Sequence, residues 1–191
     1  MIELYTAPTL SFAYLSADRA GRPRRGLTVD KTLPRFINTP VALREGAVTT
    51  IPKSLHEHIN TAYPAHVCLI GTTLPNGFAQ ITPRGSTMVF DDDHFALWER
   101  GRGSTNASLA DGTKVTIFFR NPSLREAGLL PRGGIARFYG TAQIYKSGPI
   151  YEAIWKRLIE PEKKGDPEKK GFGVLIKVER AEDLSGTPLA I

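Results

Sequence analysis

Ile81-Thr82-Pro83-Arg84-Gly85-Ser86 and Phe95-Ala96-Leu97-Trp98-Glu99-Arg100-Gly101-Arg102-Gly103-Ser104-Thr105, separated by the acidic turn Asp91-Asp92-Asp93, decide how this chain is read. Both are strand-like runs that end in arginine, glycine and hydroxyl residues. If they pair across the turn, Arg84 and Arg100 reach the same end of a sheet. Guanidinium groups hold oxyanions through parallel hydrogen bonds, and Gly101 and Gly103 let backbone approach a ligand closely. Ser104 and Thr105 would open a short helix, where N–H groups and the helix dipole favour an anion. The competing reading is a solvated loop in which Ser104 only caps that helix. Taken together, the residue types point to a phosphorylated cofactor.

The surrounding pattern is mostly β. Val67 to Thr73 reads as a strand and Leu74-Pro75-Asn76-Gly77 as a hairpin turn, since Asn-Gly tolerates positive φ. Phe78 to about Phe90 returns as a second strand bent near Pro83, and His94 to Glu99 is a third. Ser104 to Ala110 reads as a short helix closed by Asp111-Gly112. Lys114 to Arg120 is a fourth strand, and Ile135 to Tyr145 a fifth with a bend or bulge at Gly140. Pro52 opens a short helix. From Pro149 to Glu160, Ile150, Tyr151, Ile154, Trp155, Leu158 and Ile159 recur at helical spacing. Pro161 to Lys170 is a charged loop with two prolines, expected to be mobile, before a last strand from Gly173 to Val178. The expected fold is mainly β with flanking helices: a small barrel of six or so antiparallel strands.

A chain of 191 residues with 41% hydrophobic content supports one sizeable core. Residues 1–48 lack either periodicity and carry Arg19-Ala20-Gly21-Arg22-Pro23-Arg24-Arg25-Gly26, so they read as an arm, flexible or wrapped on a partner, ahead of a domain at 49–191. The net charge of +6 is spread among acidic residues rather than gathered in a stripe, which argues against nucleic acid. No run has the length of a membrane helix and no signal peptide is apparent, so the expected location is cytoplasmic. Cys68 is the only cysteine, within the apolar run Val67-Cys68-Leu69-Ile70, and reads as a small buried hydrophobe.

Other chemistry-bearing residues are weaker signals. His56 and His58 lie two apart on a helix and do not face one ion. The Asp91 to Asp93 run has no second set of ligands, so no metal is expected. Trp98 fits a half-buried barrel position or the border of a flat aromatic ligand, and Trp155 a core or interface position. There is no nucleophile elbow, zinc spacing or Walker loop. Any hard chemistry would belong to a cofactor.

With those residues in view, positions 50 to 186 resemble the pyridoxamine 5'-phosphate oxidase-like family, the FMN-binding split β-barrel proteins. The resemblance is carried by the opening helix, Pro64 to Gly77, Ile81 to Ser86, Phe95 to Leu109, Asn121-Pro122 and Arg137-Phe138-Tyr139-Gly140-Thr141-Ala142. Asp166-Pro167-Glu168 and Gly171 resemble one bacterial branch of it. The resemblance implies a homodimer with FMN in a cleft at the subunit interface, and a flavin-dependent oxidoreductase acting on a small molecule. It implies that Thr82, Pro83, Arg84, Gly85 and Ser86 run along the flavin, and that Arg84, Arg100, Ser104 and Thr105 lie near the phosphate. Trp98 and Glu99 would flank the cofactor, and Trp155 would approach from the second subunit. The oxidase proper has basic residues where this chain has Thr82, Thr87, Ser104 and Thr105, which argues against pyridoxamine phosphate oxidation itself. Family members that use the deazaflavin F420 or haem leave those cofactors as alternatives, as is a protein that binds or senses the cofactor without turnover.

Overall fold

The sheet is one continuous ladder of seven antiparallel strands, seen in a computed structural model that describes residues 50–189. The expected arm at 1–48 lies outside the described residues. Along the chain come α1 (Lys53–Asn60), β1 (Cys68–Thr73), β2 (Ala79–Arg84), β3 (Met88–Val89), β4 (His94–Glu99), α2 (Ser104–Ser108) and β5 (Lys114–Arg120). They are followed by α3 (Ser123–Glu126), β6 (Ile135–Tyr145), α4 (Pro149–Arg157), α5 (Glu160–Lys164) and β7 (Phe172–Glu182). The order across the sheet is β2-β1-β5-β6-β7-β4-β3, a split β-barrel arrangement.

The strand expected from Phe78 to Phe90 is two strands, interrupted at Gly85 to Thr87 rather than bent at Pro83. That break is why β2 and β3 sit at opposite edges of one sheet while being adjacent in sequence. The hairpin turn holds as read: Leu74 N–H donates to Phe78 O at 2.8 Å, and Gly77 takes φ +85°. The last strand is longer than expected, reaching Glu182, because β6 and β7 pair over nearly their whole length.

Side chains on the inner face of β1, β5, β6 and β7, among them Ile70, Ile117, Phe138 and Ile176, pack with Leu55 and Ile59 of α1 into the main core. A second core lies under α4, where Tyr151, Ile154 and Leu158 cover Met88, Ala96, Trp98 and Leu175. β4 contributes to both: Phe95 and Leu97 face the first and Ala96 and Trp98 the second. A strand covered on both faces reads as an unbroken apolar run rather than an alternation, as Phe95-Ala96-Leu97-Trp98 does. Cys68 is in the main core, and burial pushes its thiol up to about 12, so it is chemically quiet.

The expected irregularity at Gly140 is present as a register shift against β7 between Tyr139 and Gly140. A Cβ there would stand 2.2 Å from the Lys177 carbonyl oxygen, a backbone atom that cannot step aside. Gly77 has open space around it but a positive φ. Gly140→Ala is therefore expected to cost about 2–4 kcal/mol, as overpacking against backbone does. Gly77→Ala should cost only about 1–2 kcal/mol, the conformational penalty alone. Denaturant unfolding of the two variants checks the order, which reverses if the β6–β7 contact can relax.

Candidate functional site

The break between β2 and β3 brings the ends of β2 and β4 together. Ser86 Oγ donates to Trp98 O and accepts from Trp98 N–H, each at 3.2 Å. Two residues earlier, Arg84 forms an ion pair with Glu99 through Nη2 and Oε2. The Glu99 side chain is fully buried and that of Arg84 is 11% exposed. The second Glu99 oxygen accepts from Gly101 N–H at 3.0 Å, which fixes the turn into Arg100 and Arg102. Pairing across the acidic turn, Met88 with Ala96 and Val89 with Phe95, sets the register of these contacts.

Arg84, Ser86, Trp98, Glu99 and Arg100 therefore meet at one strand end. Arg100 and Arg102 are exposed there, and Gly101 and Gly103 have φ +72° and +84°. Ser104 and Thr105 open α2 immediately beyond. Thr82 and Pro83 lie on β2, which among the described residues pairs as a strand with β1 alone. Thr82 Oγ1 accepts from Gln80 Nε2 at 3.0 Å. Trp98 is wholly buried, with its ring centroid 5.0 Å from that of Tyr151 and 4.9 Å from that of Trp155. Trp98 and Glu99 thus stand behind the strand end, and Trp155 stacks in turn on Trp98 from α4, half-buried.

Two residues that sequence reasoning did not place at this end come from the segment expected to be a mobile charged loop. That segment instead forms α5 and a turn held by Asp166. Asp166 Oδ2 accepts from Trp98 Nε1 at 2.9 Å and from Gly171 N–H at 2.8 Å, and Oδ1 from Lys170 N–H at 3.0 Å. Burial opposes the charge on Asp166, but the hydrogen bonds from Trp98, Gly171 and Lys170 and the positive field of Arg102 outweigh it and hold the carboxyl below its ordinary range. Glu162, on α5, lies against Gly85 and 3.8 Å from Arg100. The signal for both was a carboxylate among prolines and lysines, indistinguishable in sequence from a solvated loop.

The arrangement suits an anionic group. Arg84 Nε is buried without a hydrogen-bond partner, the kind of orphaned donor an acceptor from a ligand would satisfy. Arg100, Arg102 and the edge of β2 away from β1 lie around the same strand end. A flavin phosphate fits this donor set, in which Arg84 and Arg100 each face a carboxylate.

A large groove lies elsewhere among the described residues. It measures about 680 Å³ and runs over the outer face of the sheet, lined by Leu69, Ile81, Thr116, Phe118 and Tyr139 among others. The β1–β2 register sets Arg84 and Thr82 opposite Cys68 and Ile70, on the inner face, and Ile81 opposite Gly71 on the outer one. None of Thr82, Arg84, Trp98 or Arg100 lines that groove. Among the described residues, Asp91, Asp93 and His94 are the one group of three whose ligand atoms lie within 4.8 Å of one another. Their His94 Nδ1 already contacts Asp91 at 2.9 Å and Asp93 at 2.6 Å. His56 is bonded to Ile51 O at 2.9 Å. No described helix is long and apolar enough to cross a membrane.

No protein-family model matches the chain, and no curated protein does. Solved structures do. HupZ of Group A Streptococcus is 27% identical with a TM-score of 0.56, the match covering 74% of this chain and 99% of HupZ. A histidine-to-alanine variant of HupZ gives 29%, 0.52, 72% and 100%. An FMN-binding protein from Syntrophomonas wolfei gives 17%, 0.47, 72% and 88%. In fold the chain is a split β-barrel, similar to HupZ, as the sequence resemblance implied of the fold.

Asp166 gives a pH-dependent test. A carboxyl whose folded pKa is depressed contributes stability that is present above its unfolded value and lost as pH falls through the folded one. The wild type should therefore lose stability on acidification below about pH 4. Asp166→Asn should be about 1–3 kcal/mol less stable at neutral pH, where Trp98, Gly171 and Lys170 lose a charged acceptor. Its stability should then fall less steeply over the acid window. Melting curves from pH 7 to pH 2, followed by tryptophan fluorescence, would refute this if both proteins declined in parallel.

Proposed function

We propose that this chain is an FMN-binding protein that works as a homodimer, and that it is a flavin-dependent oxidoreductase acting on a small molecule. The observation that carries the reading is the joined end of β2 and β4. Buried bonds from Arg84 to Glu99 and from Ser86 to Trp98 hold a glycine-rich, arginine-bearing edge beside an orphaned donor. Within that reading, Arg84, Arg100 and Arg102 meet the phosphate, with Ser104 and Thr105 beyond them. The main chain of Thr82 to Ser86 lies along the ring. Glu99 and Trp98 orient Arg84 and the strand end from inside, and Trp155 backs Trp98. The bound flavin would supply hydride exchange at its N5, a chemistry no side chain here provides. The protein's part is to bind, to orient and to keep water from the ring's inner side.

The dimer is proposed from the outer face of the sheet. Ile81 is 66% and Phe78 72% exposed beside the groove lined by Leu69 and Phe118. Apolar surface of this kind at a β-sheet face marks an interaction site. A second copy covering it would bring a partner's residues toward the β2 edge and complete a cleft between subunits.

One observation favours binding without turnover as the second reading. Glu99, the acidic residue next to Trp98, is fully buried and committed to Arg84 and Gly101, so it is not available as an acid or base.

Titrating the purified protein with FMN is expected to shift the flavin absorbance bands and quench flavin fluorescence. Unchanged bands and unquenched emission would refute the FMN reading, and a Soret band or a deazaflavin spectrum in the protein as purified would favour haem or F420. Anaerobic NADH or NADPH separates the two functions, since rapid bleaching of bound flavin contradicts a pure binder. Ile81→Asp should convert the dimer to a monomer in sedimentation velocity, because a buried unpaired carboxylate is costly. A variant that sediments like the wild type would move the interface elsewhere.

A further inference from the structure

We infer that Glu162 determines which ligands the joined strand end accepts, because its carboxylate stands where a ligand's anionic group would go and has to be displaced. The inference rests on the reading of that end as an anion site. Glu162 Oε1 is so close to Gly85 that a Cβ on that residue would be 2.7 Å from it. Its other oxygen is 3.8 Å from Arg100 Nη2, and the side chain is only 12% exposed. The glycine thus makes room for an oxyanion, and the oxyanion that uses the room belongs to the protein.

The rest of the segment is built to keep it there. Asp166 ties the turn after α5 to the indole of Trp98 and to the main chain at Gly171. Gly165 lets the Arg100 guanidinium pack against α5, since a Cβ there would be 2.3 Å from Nη1. Arg84 is matched by Glu99 and Arg100 by Glu162, while Arg102 adds its field at Asp166. Glu99 is fully buried inside the sheet, whereas Glu162 is on a short helix at the surface. Glu162 is the one of the two that a ligand can replace.

The consequence is a charge filter. A ligand ending in a phosphate dianion gains Arg100 only by driving Glu162 out, and is repelled by it until it leaves. A ligand with the same ring and no phosphate is indifferent to Glu162. Glu162 therefore narrows the preference for phosphorylated over unphosphorylated ligands, and removing its charge widens it.

The test is a fluorescence titration of the full chain with FMN and with riboflavin, using wild type, Glu162→Gln and Glu162→Asp. Removing one like charge at a partly exposed site should tighten FMN binding by roughly five- to tenfold. Riboflavin affinity should stay within about twofold, and the FMN gain should shrink as salt screens the charge. Glu162→Asp keeps the charge and should behave as wild type. Equal or weaker FMN binding by Glu162→Gln, or equal gains for both flavins, overturns the inference while leaving flavin binding intact. Failure of every protein to bind either flavin counts against the flavin reading instead. Inorganic phosphate then decides for Glu162: a larger phosphate-induced rise in melting temperature for Glu162→Gln than for wild type supports its role, and equal rises overturn it.

Discussion

The buried ion pair between Arg84 and Glu99 joins the two ends of the sheet, and the geometry of the candidate site follows from it. β2 and β3 lie at opposite edges of the sheet, so the three residues between them must bridge the barrel's opening. A guanidinium so nearly removed from water is tolerable only beside a counter-charge with well-made hydrogen bonds. Glu99 supplies both, and its second oxygen carries the constraint on to Gly101 and the arginines that follow. Ser86 adds a reciprocal pair of bonds to the Trp98 backbone, in place of the ladder that β3 would otherwise continue.

Around that pair the chain is arranged in two layers of support. β4 is covered by the main core on one face and by α4 on the other, so Trp98 has little freedom to move. The indole then fixes Asp166, and Asp166 fixes the segment that carries Glu162 back over Gly85 and Arg100. Two cation–carboxylate pairs, Arg84 with Glu99 and Arg100 with Glu162, flank this sequence of contacts. On the proposed reading, such a site takes up a phosphate in exchange for the Glu162 carboxylate at Arg100.

The sequence showed the strands, the Asn-Gly turn, the Gly140 irregularity and α4, because each has a local signal: periodicity, turn chemistry or β-branched composition. It put Arg84 and Arg100 at one strand end only on the condition that their strands pair across the acidic turn. Across that turn β3 pairs with β4, and Arg84 reaches Glu99 through the break between β2 and β3 instead. The sequence did not show which charges already had partners. Glu99 follows Trp98 in a run that reads equally well as a solvated strand end, and its burial depends on a contact fifteen positions away with Arg84. Pro161 to Lys170 read as mobile for the same reason. Its order comes from non-local contacts, Asp166 to Trp98 across 68 positions, Glu162 to Arg100, and Lys169 O to the Tyr151 hydroxyl, and local composition carries no trace of them. The division of residues between inner and outer faces of β2 was misleading rather than absent: Ala79 to Arg84 alternates apolar and polar, but the apolar Ala79, Ile81 and Pro83 are the exposed set and the polar Gln80, Thr82 and Arg84 the half-buried one.

The central claim is that the joined end of β2 and β4, and not the larger groove on the outer face, receives the flavin. Amide chemical shifts of the isotope-labelled protein during addition of FMN test it most directly. The account predicts the largest shifts at Thr82 to Ser86 and Arg100 to Thr105, with a smaller response at Glu162 and Gly165. Shifts centred on Leu69, Thr116 and Phe118, with the Arg84 and Arg100 amides unmoved, would contradict it.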